Sequence, residues 1–111
     1  MSTYTPDNWV ILELHDGFLT FYKVLAGWTG GYASADAWRI NLGITRMDED
    51  EHSFYFYGAS GSVYECNKKY YGLRSNNSEI YAKLKEIFGN RVRLMPEETI
   101  WKSLDFGMIS D

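Results

Sequence analysis

The sequence predicts an α+β fold in which an antiparallel meander of about five to six strands carries one amphipathic helix on one face. Three observations support this class. Short apolar segments alternate with turn residues over the first part of the chain. A later segment has apolar residues at helical spacing. The helix and the sheet each present an apolar surface, and each can bury it against the other.

The first two strands are predicted at residues 9–14 and 18–26. Asp16 and Gly17 lie between them, and Asp-Gly between apolar runs favours a tight hairpin because both residues tolerate positive φ. The second strand is largely apolar on both faces, which indicates a central strand that is covered on both sides.

Three more strands complete the predicted meander. Residues 38–45 alternate most regularly, which predicts that Trp38 and the even-numbered residues after it share an apolar face. The acidic segment 48–51 is predicted to be a solvated turn, and residues 53–57 and 62–66 form the next two strands.

One helix is predicted after these strands. Asn76 is the expected N-cap, and Glu79 completes a capping-box-like pair. Gly89 stands where a left-handed residue commonly ends a helix, and residues 92–94 form a short final strand. The apolar stripe of the helix comprises Ile80, Leu84, Ile87 and Phe88.

The length of 111 residues is typical of a single domain, with residues 1–7 and 105–111 expected to be loose termini. Aromatic residues make up 17% of the chain, which is more than a core of this size readily holds. Some of these rings are therefore expected on the surface, where Tyr and Trp commonly anchor binding sites.

Charge and composition argue against several function classes. The net charge of −4 disfavours nucleic acid and anionic membranes as partners, because both are bound through Lys and Arg. Cys66 is the single cysteine, and His15 and His52 lack metal-ligand spacing, so neither a metal nor a cofactor is predicted. The chain has no apolar run of about 20 residues and no signal-peptide pattern, which favours a cytoplasmic location.

The first candidate site is the loop at residues 28–38 and the start of the strand that follows. Its glycine pair allows close backbone approach to a ligand, and its aromatic and polar residues could anchor and orient a partner. The alternative is a glycine-rich strand connection whose tryptophans belong to the core. The candidate binding residues are Trp28, Gly30, Gly31, Tyr32, Asp36 and Arg39.

The second candidate site is the segment at residues 58–72. Residues 60–62 are small, hydrogen-bonding positions, and a basic patch interleaved with aromatic residues follows the predicted strand at 62–66. Stacking on tyrosine together with positive charge is suited to a nucleotide or a phosphate. The alternative is a solvated loop whose tyrosines lie over the helix. The candidate residues are Lys68, Lys69, Tyr70 and Tyr71, with Arg74 nearby.

No catalytic motif is found. Cys66 lies in a predicted strand and is expected to be a buried, inert thiol. The carboxylates are scattered along the chain, and nothing in the sequence pairs them for acid–base chemistry. The sequence therefore predicts a binding protein and not an enzyme.

Several motifs carry a resemblance to known proteins. They are Trp28-x-Gly30-Gly31-Tyr32, Trp38-Arg39-Ile40-Asn41-x-Gly43-Ile44, Gly61-Ser62-x-Tyr64-x-Cys66-x-Lys68 and Tyr71-Gly72. On these motifs the chain resembles small uncharacterised accessory proteins of large tailed bacteriophages. The resemblance implies a role in binding a host factor or countering a host defence, and it assigns no functional residues.

Two functions remain open. In the first, the protein engages a host protein through an exposed aromatic surface made of Trp28, Tyr32, Tyr70 and Tyr71. In the second, it binds or sequesters a nucleotide-type signal in a pocket, which could lie at the interface of a homo-oligomer. There Gly30, Gly31 and residues 60–62 would supply hydrogen bonds. The phosphates would be held by Lys68, Lys69 and Arg74.

Overall fold

The computed structural model describes residues 2–30 and 37–106. Within these residues the chain forms eight strands, one α-helix and three short 3-10 helices. The strands are β1 (Thr3–Tyr4), β2 (Asn8–Asp16), β3 (Leu19–Trp28), β4 (Ala37–Ile40), β5 (Ile44–Glu49), β6 (Ser53–Gly58), β7 (Val63–Asn67) and β8 (Val92–Leu94). The helix α1 is Ser78–Phe88, and the 3-10 helices are Lys68–Tyr70, Gly89–Arg91 and Trp101–Ser103.

The described strands form two four-stranded sheets. The outer sheet has the order β1-β7-β6-β5, and its pairs are antiparallel except for the parallel pair of β1 with β7. The inner sheet has the order β4-β3-β2-β8 and is antiparallel throughout. The α+β class predicted from the sequence is confirmed.

The inner sheet lies between the outer sheet and the helix. Its face toward the outer sheet contributes Trp9, Ile11 and Val24 to an inter-sheet core, which also contains Phe56 and Tyr64 of the outer sheet. Its other face forms a helix-side core against α1. The buried residues of that core are Val10, Leu12, Leu25 and Val92. Because the central strands β2 and β3 face apolar layers on both sides, they read as almost continuous apolar runs.

The hairpin between β2 and β3 is found where the sequence predicts it, but its turn lies one residue later than the predicted Asp16-Gly17 pair. Asp16 pairs with Leu19, so Gly17 and Phe18 occupy the turn, and Gly17 has φ 64°. The side chain of Phe18 is fully exposed at the tip.

The expectation of one continuous meander sheet was wrong, because the predicted strand at residues 38–45 is two strands in different sheets. Asn41 lies between them and is 5% exposed. Its side-chain oxygen accepts a hydrogen bond from the Val24 backbone N–H at 3.0 Å, a position where a continuing strand would present a carbonyl. Beyond Asn41 the chain leaves the inner sheet and enters the outer sheet as β5.

The break also changes the predicted faces of this segment. Trp38 was expected to share an apolar face with Leu42 and Ile44, and whether it belongs to the core was left open. It is 47% exposed on edge strand β4, and Leu42 is also exposed. Ile44, which was expected on the same face, is buried in the inter-sheet core. Alternation holds only while the strand stays in one sheet.

The helix is found where the sequence predicts it, but its predicted N-cap was wrong. Asn77, not Asn76, directly precedes α1, and its side chain makes no capping hydrogen bond. The side chain of the buried Asn76 bonds to Asn8 instead of capping the helix. At the other end, Gly89 has φ 57° and its N–H donates to the Lys85 carbonyl, as expected for a glycine that ends a helix.

Residues 2–7 are more ordered than a loose terminus. Thr3 and Tyr4 pair with Val63 and Tyr64 of β7, and Pro6 is buried. Parallel pairing adds a fourth strand to the outer sheet and leads the chain into β2.

Among the described helices, none combines the length and apolarity needed to cross a membrane.

Candidate functional site

A cleft of about 570 Å³ lies where the N-terminal segment meets the end of β3 and the segment after β7. We call it the Tyr70 cleft. Residues from three separate parts of the chain line it, and both sequence-predicted candidate regions contribute. The lining residues are Thr5, Pro6, Asp7, Thr29, Asn67, Tyr70 and Arg74.

The wall at residues 5–7 is fixed to the end of β3 by three hydrogen bonds. The backbone N–H of Asp7 donates to the Gly27 carbonyl at 2.9 Å, and the Asp7 carboxylate accepts from the Thr29 N–H at 2.8 Å. The indole Nε1 of Trp28 donates to the Thr5 carbonyl at 3.0 Å. The half-buried Trp28 therefore positions this wall and offers little free surface to a partner.

The opposite wall is a short 3-10 helix anchored at both ends. The Asn67 side chain accepts from the Lys69 N–H at 2.9 Å, and the Asn67 carbonyl accepts from Trp9 Nε1 at 2.7 Å. On the far side, the Gly72 N–H donates to the Trp9 carbonyl at 2.8 Å. Tyr70 is thus held in place by bonds on both sides, and its own side chain is 45% exposed.

Three buried asparagines support the cleft from behind. Asn8 Nδ2 donates to Asn76 Oδ1 at 3.1 Å, and Asn76 Nδ2 donates back to Asn8 Oδ1 at 2.7 Å. Asn77 Oδ1 accepts from the Arg74 backbone N–H at 2.9 Å, which fixes the backbone that carries Arg74. Buried amides that satisfy one another in this way hold a loop rigidly.

This cluster also requires a glycine in β3. A Cβ added at Gly27 would lie 2.1 Å from Asn76 Oδ1, which is far inside van der Waals contact. Sequence reasoning missed the cluster because it assigned Asn76 to the helix cap. The adjacent Asn76-Asn77 pair, together with a glycine inside an apolar strand, was the available signal.

The cleft lining carries one basic and one acidic side chain, Arg74 and Asp7, and Lys69 precedes the lining residue Tyr70 in the chain. Lys69 and Arg74 are exposed, and neither takes part in an ion pair between described residues. The Asp7 carboxylate is already engaged by the Thr29 N–H. An exposed tyrosine ring beside an unpaired guanidinium suits a planar or anionic group by stacking and by charge-assisted hydrogen bonds.

Tyr71, which was predicted to belong to an exposed aromatic surface, is half-buried and packs against the inter-sheet core. Its ring packs edge-on against Trp9 with centroids 4.7 Å apart. Its hydroxyl donates to the Met95 carbonyl and accepts from the Ile11 N–H at 3.2 Å. Burial raises the pKa of Tyr71 to about 12. Tyr71 therefore stabilises the fold, and it is not available as a surface anchor.

Two predicted cationic residues are committed elsewhere. Lys68 donates to the Glu49 carboxylate at 2.6 Å and lies over the Phe54 ring. Arg39 lies over the Tyr4 ring, with its guanidinium carbon 4.4 Å from the ring centroid. Neither residue lines the Tyr70 cleft.

The other predicted site residues fall into two groups. Gly30 follows the cleft residue Thr29 and is half-buried. Gly31, Tyr32 and Asp36 lie outside the described residues. Of the ten predicted binding residues, Tyr70 lines the cleft directly. Those next to a lining residue in the sequence are Trp28, Gly30, Lys68, Lys69 and Tyr71.

Cys66 is buried in the inter-sheet core, as predicted. Burial raises the pKa of its thiol well above the usual value, and the neighbouring Glu65 carboxylate adds to this shift. A thiol with a raised pKa is a poor nucleophile at neutral pH. Its position supports a packing role.

Comparison of the chain with protein-family models, with curated proteins and with solved structures finds no match.

Proposed function

We propose that the chain is a non-enzymatic binding protein that engages a host protein through the Tyr70 cleft. The observation that carries this proposal is the convergence of the two candidate regions on one cleft. The lining residue Thr29 belongs to the first region, and Tyr70 and Arg74 belong to the second or lie beside it. The phage-like motifs favour a bacterial host factor or defence component as the partner, met in the cytoplasm of an infected cell.

The residue types in the cleft fit this role. Tyrosine and arginine are enriched among the few residues that contribute most of the affinity in protein interfaces. Both of the residues that would serve here, Tyr70 and Arg74, stand on backbone that is fixed by hydrogen bonds. A surface that is already ordered loses little conformational entropy when a partner binds.

Affinity capture from a bacterial lysate, with quantification by mass spectrometry, tests the proposal. We expect a bacterial protein to bind the wild-type chain and to be lost with Tyr70→Ala and with Arg74→Ala. Removal of a hot-spot side chain costs about 2 kcal/mol or more, which corresponds to a roughly thirtyfold loss of affinity. Lys83→Ala, on the exposed side of α1, is the control and should bind as the wild type does.

The proposal fails if the captured protein binds Tyr70→Ala and Arg74→Ala as well as it binds the wild type. Circular dichroism of each variant separates loss of binding from loss of folding. Because both side chains are exposed, we expect both variants to fold.

A second candidate function is binding of a nucleotide-type signal in the same cleft. Its volume of about 570 Å³ is within the range of small-molecule pockets. Arg74 and the exposed Tyr70 both line it, and Lys69 precedes Tyr70 in the chain. This alternative no longer includes Lys68, because Glu49 holds that ammonium group.

The native mass of the purified protein, compared with its denatured mass, distinguishes the two functions. A nucleotide-sized excess that disappears on denaturation, and that is lost with Arg74→Ala and Lys69→Met, would favour the small-molecule function. Lys68→Met should keep the excess. The same spectrum reports whether the chain forms a homo-oligomer. A ligand-free spectrum, together with a partner that depends on Tyr70, supports the protein-binding function.

A further inference from the structure

A second concave site lies between the inner sheet and α1, and it shares no lining residue with the Tyr70 cleft. It is a groove of about 230 Å³ that residues of both the sheet and the helix line. Six of its lining residues are apolar, and the seventh is a lysine. The lining residues are Leu12, Leu14, Lys23, Ile40, Leu84, Phe88 and Val92.

Lys23 occupies an unusual position for a charged residue. It is on central strand β3, where it pairs in register with the buried Leu12, and alternation places it on the same face as Leu25 of the helix-side core. Sheet positions of this kind are normally apolar. The ammonium group therefore lies at an apolar surface, and burial lowers the pKa of Lys23.

The positive charge of Lys23 is not neutralised by a described residue. Its Nζ donates to the Leu42 carbonyl at 2.7 Å and to the Asn41 carbonyl at 3.3 Å. Carbonyl groups carry no formal charge, and an ammonium group has three hydrogens to donate. None of the ion pairs between described residues includes Lys23. A carboxylate is the group that would complete this environment.

The size of the groove sets the size of the ligand. A dry apolar cavity of about 150 Å³ holds a benzene-sized guest. By proportion, a groove of about 230 Å³ holds roughly nine or ten non-hydrogen atoms. An eight-carbon carboxylate has this size and combines one negative charge with an aliphatic chain.

We propose that this groove binds a medium-chain monocarboxylate, whose carboxylate pairs with Lys23 and whose aliphatic chain packs against Leu14, Ile40 and Phe88. The ammonium group keeps its bonds to the two carbonyls and donates its remaining hydrogen to the ligand. No covalent step is involved.

Titration of the methyl NMR spectrum with octanoate and with octan-1-ol tests the charge and the chain separately on the unmodified protein. We expect both ligands to shift methyl signals of Leu14, Ile40 and Leu84. Octanoate should bind at least tenfold more tightly, because octan-1-ol lacks the group that pairs with the ammonium. Equal affinities, or shifts confined to other parts of the protein, would overturn the proposal.

Variants of Lys23 give an independent readout. In Lys23→Met, which keeps the length and the apolar contacts of the side chain, octanoate should lose at least tenfold in affinity. Octan-1-ol should change less than twofold. Lys23→Arg should retain the preference for octanoate, and Lys83→Met, at an exposed lysine that does not line the groove, should leave both affinities unchanged. A preference for octanoate that survives in Lys23→Met would contradict the assignment.

Discussion

The inter-sheet core and the Tyr70 cleft use the same aromatic residue types in opposite ways. In the core, the rings cover one another, as Trp9 packs within 6.2 Å of Phe56, Tyr71 and Trp101 by ring centroids. In the cleft, the ring of Tyr70 is left nearly half exposed on a rigid turn. Aromatic content alone therefore does not distinguish a structural ring from a binding ring.

The two neighbouring tyrosines show where the difference arises. Tyr70 ends a 3-10 helix, and Tyr71 follows in an extended conformation with φ −71° and ψ 127°. Tyr71 also makes an isolated parallel bridge with Trp9, which directs its side chain toward the core. A change of backbone conformation between two consecutive residues thus places Tyr71 against the core and leaves Tyr70 exposed at the candidate site.

Of the substitutions considered, Trp101→Ala in the inter-sheet core should lower the unfolding free energy most. The buried indole packs against Trp9, Phe56 and Tyr71. Removal of a buried Trp side chain costs about 3–5 kcal/mol of unfolding free energy. Urea denaturation measures this change. Ile100→Ala, at a neighbouring residue that is 71% exposed, should cost less than about 0.5 kcal/mol. Equal losses for the two variants would refute the packing described here.

Gly27→Ala tests the asparagine cluster that joins the core to the cleft. The new Cβ would lie 2.1 Å from Asn76 Oδ1, so the cluster must move, and we expect a loss of about 3 kcal/mol. Gly58→Ala is a matched control, since its Cβ would also face an asparagine amide but at 3.4 Å from Asn41 Nδ2. Its loss should be about 1 kcal/mol or less. Thermal and urea unfolding of the pair should show this order, and the reverse order would show that Asn76 is not where we place it.

Tyr71→Phe and Tyr70→Phe sharpen the contrast between the two tyrosines. The Tyr71 hydroxyl bonds to the Met95 carbonyl and the Ile11 N–H, so its removal leaves buried backbone groups without a partner and should cost about 1–2 kcal/mol. Tyr70→Phe should leave the unfolding free energy unchanged within error. A similar effect of both substitutions on urea denaturation would remove the distinction.

Lys68→Met should give the smallest effect and should leave cleft binding intact. The hydrogen bond from Lys68 lowers the pKa of Glu49, so the variant should raise that pKa toward its usual value. A carboxyl group with a lowered pKa stabilises the folded state above its unfolded pKa, and this contribution is lost as the pH falls through the folded pKa. The stability difference between variant and wild type should therefore be largest near neutral pH and vanish in acid. Carboxyl NMR titration measures the pKa of Glu49 in both proteins. An equal pKa in the variant and the wild type would contradict the contact between Lys68 and Glu49.

The parts of the fold that are determined by residues close together in the sequence were predictable from the sequence. The turn after Asp16, the helix near residue 80 and its end at Gly89 each follow from residues close in the chain. The sheet switch at Asn41 was not predictable, because one side chain replaces a strand hydrogen bond made to Val24. Long-range contacts decide such positions, and periodicity does not report them.

The candidate site was predictable to a smaller extent. Sequence reasoning selected Tyr70 and Arg74 as part of a basic aromatic patch, and the structure brings them together with Thr29. It could not separate Tyr70 from Tyr71, nor foresee that Lys68 pairs with Glu49, 19 residues earlier. The hydrogen bond between Asn8 and Asn76 joins residues 68 positions apart in the chain. The asparagine cluster behind the cleft could therefore not be predicted from local sequence patterns.

Site-specific photocrosslinking in bacterial cells tests the central claim most directly. A photoreactive phenylalanine analogue is placed at Tyr70 or, as the comparison, at Phe18, which is fully exposed at the hairpin tip. If the Tyr70 cleft engages a host protein, position 70 should give a discrete crosslinked product that Arg74→Ala abolishes, and position 18 should give none. A product from position 18 without one from position 70 would show that partners bind elsewhere, and it would contradict the account.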